Sequence, residues 1–529
     1  MDLIIISADI YTGDSNKPFA QAIGIKNGKI AAIGTDKDIK PLATKETEIV
    51  NLSGKFIIPG LVDSHIHFVM TGNLLKMVDL RYETSIHECR EKIREAALNT
   101  ENGKWIFARG WNNFKWENQK YPDINDLDDI APNNPVMMKR VCGHSILVNS
   151  KALEISNITE KTCDPSGGKI GRFESGKPNG MIYEKFDMVT DQIPHLSFEE
   201  IKEAVLAAQK QAHQFGLTGV HAIETLTDWE AFNDLDKNNE LKIRVNCLFQ
   251  SEDLEEVNKK NILKQSSEYL WYGHSKMFAD GSLGSSTALT HEPYKNDPDQ
   301  YGLAFQSKNE LIQNIRKSYE TGLNVAVHAI GDKALSDTID AISIVRNENK
   351  SLYESLCGSD RIEHVQLFKT SDLKKMKKLG IIASVQPAFL STDWELAEKQ
   401  WGIERCKNGY AWKTILTNGI QLQFGSDSPV EPADPLLGFH AAFTRQATDG
   451  KPEGGWFYDQ KLTLEEIIRG YTLQPAVTSG KINESGTITI GKHADLTILN
   501  NNLFKSSSDN WLKASVEMTI VAGEIVYRK

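Results

Sequence analysis

Between residues 57 and 478, short apolar segments alternate with amphipathic ones, and this alternation constrains the fold more than any other feature. Segments rich in β-branched residues lie at 57–68, 218–223, 243–249, 275–278, 324–329, 361–366, 381–386 and 421–425, which predicts eight strands. Stretches with apolar residues at helical spacing fall between them, among them 198–215, 308–321, 333–347 and 371–378. Strands alternating with helices in this way predict an α/β fold, a (β/α)₈ TIM barrel spanning 57–478. One interval is far longer than the rest, from His67 to the second predicted strand. It contains Trp105, Trp111 and Trp116, many Asn and Asp residues, and Gly/Pro turns at 164–180. We expect an insertion over 73–197 in the first βα connection, and loops there stand over the active face of a barrel, as a cap.

The two ends of the chain share another texture. Short strands with turns are predicted at 3–10, 22–26 and 29–33, the last two joined by Asn27-Gly28, which suits a tight hairpin turn. Similar segments recur at 486–490, 494–499 and 518–527. Isolated hairpins are marginally stable, so residues 1–56 and 479–529 are expected to meet in one small β-sandwich domain.

Composition narrows the function classes. The chain is 529 residues long, 40% hydrophobic and 25% charged, as soluble globular proteins are, and its net charge of −11 argues against a broad nucleic-acid-binding face. The six cysteines (Cys89, Cys142, Cys163, Cys247, Cys357 and Cys406) form no Cys-x-x-Cys pair and fit buried free thiols in a reducing compartment. The apolar run near Met1 is too short for a secretory core, and no stretch reaches the roughly 18 apolar residues of a membrane span. A cytoplasmic protein without a membrane partner is expected.

The chemistry gathers at predicted strand ends, where barrels place their active residues. The first strand ends in Asp63, His65 and His67, spaced two apart and therefore on one face. Two imidazoles so placed can hold a divalent metal, with zinc the usual occupant; the plain alternative is a pair of hydrogen-bonded histidines. The fourth strand offers Lys276 and, just beyond it, Asp280. The fifth ends in His328, the sixth carries His364 within Arg361-Ile362-Glu363-His364, and the eighth leads into Asp427. An ammonium is repelled by a metal, so Lys276 can ligate only as a carbamate. On the residues alone, an ion pair with Asp280 or Asp427 is the preferred reading of that lysine.

Five separated segments carry a resemblance: His65-Ile66-His67, Lys276-Met277-Phe278-Ala279-Asp280-Gly281, Val327-His328-Ala329-Ile330-Gly331-Asp332, Arg361-Ile362-Glu363-His364-Val365-Gln366 and Phe424-Gly425-Ser426-Asp427-Ser428-Pro429. In this order they resemble the metal-dependent amidohydrolase superfamily, and within it the YtcJ-like, amidohydrolase-3 branch that includes N-substituted formamide deformylases. The resemblance covers nearly the whole chain, including the insertion and Phe107-Ala108-Arg109-Gly110-Trp111. It implies one or two divalent metal ions, zinc first among them. His65 and His67 would hold the more buried ion and His328 and His364 the more exposed one. A carbamylated Lys276 would bridge them, and Asp427 would act as both ligand and catalytic proton shuttle. For assembly it implies a homodimer.

The expected reaction is hydrolysis of a C–N bond in a small-molecule amide by metal-activated water, with Asp427 moving the proton. Arg361, His144, Arg140, Arg109 and Trp111 are the candidates for contacting the substrate, each with an ordinary ion-pair or packing role as its alternative. A deaminase using a single metal is the nearest rival. It would need a glutamate near the fifth or sixth strand end, and Glu363, by strand alternation, is expected to point away from His364. A non-catalytic scaffold on the same fold is the more remote rival.

Overall fold

Pro59-Gly60 divides the first predicted strand between two sheets. In the computed structural model, which describes residues 1–529, Phe56–Pro59 belongs to a sheet built from the chain ends, while Leu61–Ile66 opens the barrel. The single strand expected at 57–68 is thus two. Both halves are largely buried and follow one another without a loop, so the sequence pattern does not separate them. At Gly60 the chain passes so close to Thr218 that a Cβ would collide with its side chain.

The barrel strands are β1 (Leu61–Ile66), β2 (Leu217–Glu224), β3 (Arg244–Gln250), β4 (Leu270–Phe278), β5 (Asn324–Ala329), β6 (Arg361–His364), β7 (Ile382–Val385) and β8 (Leu422–Phe424). They form one eight-stranded sheet in chain order, each parallel to its neighbour. Strands β1 and β8 lie at the two ends of that order and are joined where Ile66 bridges Ser428. Every residue of β2 is buried, as expected for a parallel strand covered on both faces. The helix Lys308–Thr321 occupies the predicted span because both its ends are encoded: Ser307 and Glu310 form a capping box, and Gly322 takes the left-handed conformation at φ 92°. The (β/α)₈ barrel expected from the alternation is the fold observed.

The chain ends build two further sheets. A four-stranded one has the order Lys29–Gly34, Ala22–Lys26, Leu3–Ile6, Glu48–Asn51. A six-stranded one has the order Glu524–Arg528, Val516–Val521, Leu496–Leu499, Phe56–Pro59, Asp9–Tyr11, Phe19–Ala20. Ile5, Ile23 and Ile25 from the first share one buried core with Ile57, Leu496, Ile498 and Ile520 from the second. The Asn27-Gly28 turn has positive φ at both residues, as the sequence suggests. Residues 486–490, expected as a strand, form none.

The insertion is a folded unit, Asn73–Ala204, with a sheet of its own. Its six strands run in the order Lys169–Arg172, Pro178–Tyr183, Ser145–Val148, Val136–Arg140, Ile106–Trp111, Val78–Asp79. Trp111, Trp116, Leu127, Met138 and Ile93 fill one of its cores and Ile146, Val148, Ile182 and Val189 another. No helix of the chain is long and apolar enough to cross a membrane. Of the cysteines, Cys89, Cys247 and Cys406 are buried, whereas Cys142, Cys163 and Cys357 are exposed, so only half fit the expected buried thiols.

Candidate metal centre

The seam between β1 and β8 is where the candidate ligands converge. A Cβ on Gly425 would lie 2.5 Å from the His65 nitrogen, so only glycine lets the two strand ends approach this closely. Asp63 fastens the seam: its carboxylate accepts from the His65 and Ser426 amides at 3.1 and 3.0 Å and from the Ser426 hydroxyl at 2.5 Å. Beyond it, the Asp427 amide donates to the His65 carbonyl at 2.7 Å, and the His67 amide donates to the Ser428 carbonyl at 2.9 Å. Asp427 takes a left-handed backbone, φ 57°, a conformation non-glycine residues adopt at a cost and often at functional positions.

This backbone sets Nε2 of His65 and Nε2 of His67 each 3.4 Å from Asp427 Oδ1. The three donor atoms lie within 4.8 Å of one another. Burial alone would raise the Asp427 carboxyl, but the His65 and His67 rings outweigh it and hold it well below the usual range. Burial likewise opposes charge on His65, and Glu363 with Asp427 overcomes it and raises that imidazole. Two imidazole nitrogens and a carboxylate oxygen at this spacing are a donor set that fits a divalent cation such as zinc.

His364 and His328 extend the site. The His364 ring centroid lies 5.0 Å from that of His65 and 4.4 Å from that of His328. His364 Nδ1 donates to Gln386 Oε1 at 2.7 Å, which leaves Nε2 free. Burial drives this imidazole down to about 3. His328 differs, because its Nε2 donates to the Gly281 carbonyl at 3.0 Å and only Nδ1 remains for another partner. Lys276 is buried, its Nζ has no hydrogen-bond partner and lies 4.1 Å from the Phe278 ring centroid, and burial lowers it to about 8. It pairs with neither Asp280 nor Asp427. Asp280 accepts instead from the amides of Leu289, Ile330 and Gly331 at 2.8, 3.0 and 2.9 Å. A buried amine without a partner fits a lysine that is modified or faces a ligand better than one in a structural ion pair.

Glu363 corrects an expectation. Strand alternation places it on the opposite face from His364, yet Glu363 Oε2 accepts from His65 Nδ1 at 2.6 Å. The reason is local: His364 and Val365 take φ of 75° and 44°, so alternation fails at the end of β6 and both side chains enter the barrel. Gln386, the partner of His364, is a second functional neighbour that the sequence reading overlooked. Its place at the end of β7 was the available signal.

Each of the proposed substrate contacts has a partner within its own part of the fold. Arg361 is fully buried, its Nε 2.7 Å from Glu363 Oε1 and its Nη1 2.7 Å from His221 Nδ1. Trp111 is fully buried in the insertion and donates to the Met138 carbonyl, which fits the packing role weighed as its alternative. Arg140 contacts Asn113 and lies 5.0 Å from the Phe114 ring centroid. Arg109 lies 3.8 Å from Asp79, and His144 is exposed beside Glu184 at 3.0 Å.

The chain is similar to known proteins along nearly its whole length. The putative amidohydrolase YtcJ of Bacillus subtilis (strain 168) is 32% identical over 529 residues, covering 98% of each chain. The N-substituted formamide deformylase of Arthrobacter pascens is 27% identical over 549 residues, covering 100% of this chain and 98% of its own. An uncharacterized metal-dependent hydrolase from Pyrococcus furiosus, solved as a crystal structure, superposes with a TM-score of 0.78 at 29% identity, covering 94% of this chain and 99% of its own. The model of the amidohydrolase family matches residues 48–527, and with that span and a relative aligned along nearly its whole length, the chain belongs to the amidohydrolase family.

Proposed function

We propose that this chain hydrolyses the C–N bond of a small, non-peptide amide, with N-substituted formamides the first substrate class to test. The observation that carries the reading is the convergence of His65, His67 and Asp427 at the β1–β8 seam. A divalent metal, zinc by donor chemistry, would be held by these three. His364, His328 and a Lys276 carbamate would complete the set for one ion or two. When bound, it supplies the Lewis acidity that activates water near neutral pH and polarises a carbonyl. With Oδ1 turned to the histidines, Oδ2 is the atom that takes the proton from the attacking water and returns it to the leaving amine. His65 and His67 hold that carboxylate in place throughout.

Glu363 favours amide hydrolysis over the deaminase alternative. A deaminase would use a glutamate that reaches its substrate, and Glu363 is fully buried between His65 and Arg361. The similarity to a formamide deformylase along the full chain supports the same choice. The scattered thiols and acidic balance fit a cytoplasmic enzyme of small molecules. The test is elemental analysis of the purified protein beside Lys276→Ala, followed by a screen of N-formyl and N-acyl amines. Bound metal that falls in the variant, together with amine release from a formamide, is the expected result. A chain that takes up no metal, or whose metal is untouched by the variant and which releases ammonia from an amidine-like substrate, would overturn the reading.

A further inference from the structure

A chain of buried polar groups runs from the candidate metal centre into the barrel. Glu363 Oε2 accepts from His65 Nδ1 at 2.6 Å, Glu363 Oε1 lies 2.7 Å from Arg361 Nε, and Arg361 Nη1 lies 2.7 Å from His221 Nδ1. None of these side chains is more than about 2% exposed. A buried carboxylate facing a buried guanidinium is expensive to desolvate, and such pairs often stabilise no more than apolar residues of the same shape. Fold stability is therefore a weak explanation for this one. Its position suggests another.

The pair acts on the orientation of one ring. With Nδ1–H donating to Glu363, His65 turns Nε2 to the opposite side, where Asp427 Oδ1 lies at 3.4 Å and His67 adjoins, so Nε2 is the nitrogen a metal would take in place of a proton. Arg361 and Glu363 are two apart on β6 and share a face, so the guanidinium fixes the carboxylate from below. His221, on β2, then fixes Arg361. We infer that Glu363 is the positioning residue of the metal centre, setting the tautomer and aim of His65, and that Arg361 and His221 exist to hold Glu363. The assignment makes Arg361 part of the metal centre's support and removes it from substrate recognition. It rests on the proposed function only in requiring that His65 take a metal.

The test is metal binding itself. Zinc affinity is measured by competition with a chelator in the unmodified protein, in Glu363→Gln and in the charge-balanced double variant Arg361→Met with Glu363→Leu. Partners of this kind typically govern about 10- to 100-fold in metal affinity. We expect a loss of about tenfold or more in the double variant and a smaller one in Glu363→Gln, whose amide oxygen can still accept from Nδ1–H. The visible spectrum of the cobalt-substituted protein should shift in both variants, a change that a purely structural role would not produce. Zinc affinity within twofold of the unmodified protein and an unshifted cobalt spectrum would overturn the assignment. So would failure of the metal-free chain to fold in both variants, which would make Glu363 a fold-holding residue. If the unmodified protein binds neither zinc nor cobalt, the proposed function fails with it; if it binds both and the variants do so equally, the positioning role alone fails.

Discussion

The barrel rim and the insertion bury opposite kinds of side chain. At the ends of β1, β4, β6 and β8 the barrel buries His65, Lys276, Glu363, His364 and Asp427. Each is costly to remove from water unless a partner compensates. The insertion buries Trp111, Trp116, Leu127 and Met138 and leaves its charges at the surface, as in Arg90–Asp129 and His144–Glu184. Apolar burial of the second kind builds a fold by area alone. Polar burial of the first kind works against folding, and a chain that concentrates it at one rim does so for chemistry. The comparison predicts that substitutions at the rim remove activity while sparing the fold, and that substitutions in the insertion core do the reverse.

The sharpest version of that contrast is Asp427→Asn. It keeps the shape of the side chain and removes the proton acceptor, so turnover of a formamide substrate should fall by about 10²- to 10⁴-fold. Metal content, measured by elemental analysis, should be largely kept, because His65 and His67 remain. Turnover within a few-fold of the unmodified enzyme would break the comparison at its strongest point. Trp111→Ala is the counterpart. A fully buried tryptophan replaced by alanine costs about 3–5 kcal/mol, which urea titration should register in the unfolding of the insertion. Zinc stoichiometry should be unchanged at urea concentrations where the barrel stays folded. Loss of the metal together with unchanged urea resistance would invert the assignment of roles.

The same contrast explains what the sequence made legible. The barrel could be read because short segments rich in β-branched residues alternate with amphipathic ones, and the gathering of His65, His67 and Asp427 because a barrel puts its chemistry at strand ends. In each case position on a rigid element gave the signal. Arg109, Trp111, Arg140 and His144 lie in the insertion, where hydropathy gives no strand ends to rank them by, and they range from the fully buried Trp111 to the exposed His144. Glu363 escaped because the alternation rule assumes extended backbone, whereas His364 and Val365 are left-handed. The break at Pro59-Gly60 escaped because the chain is buried on both sides of it and no loop intervenes.

The smallest effect sharpens the comparison on the side of stability. His213 lies outside the metal centre, buried with Nε2 donating to the Lys242 carbonyl at 3.2 Å. Burial lowers it from 6.5 to about 4. The unfolded chain therefore takes up this proton as pH falls through 6.5, while the fold refuses it until about 4. Between those values the unfolded state binds more protons, so stability declines on acidification, by up to ~1.4 kcal/mol per pH unit for one such group. Above 6.5 the ring is neutral in both states and contributes no slope. His213→Gln keeps a donor for the Lys242 carbonyl and removes the titration. Urea midpoints of the barrel transition, measured with metal saturating, should fall less steeply in the variant between pH 6.5 and 4 and run parallel above 6.5. Parallel profiles throughout would mean that His213 takes its proton inside the fold and that acid sensitivity lies elsewhere. A shallower profile in the variant would show that a buried polar group remote from the metal centre also weakens the fold, so that polar burial is costly wherever it occurs and is concentrated only where the chemistry requires it.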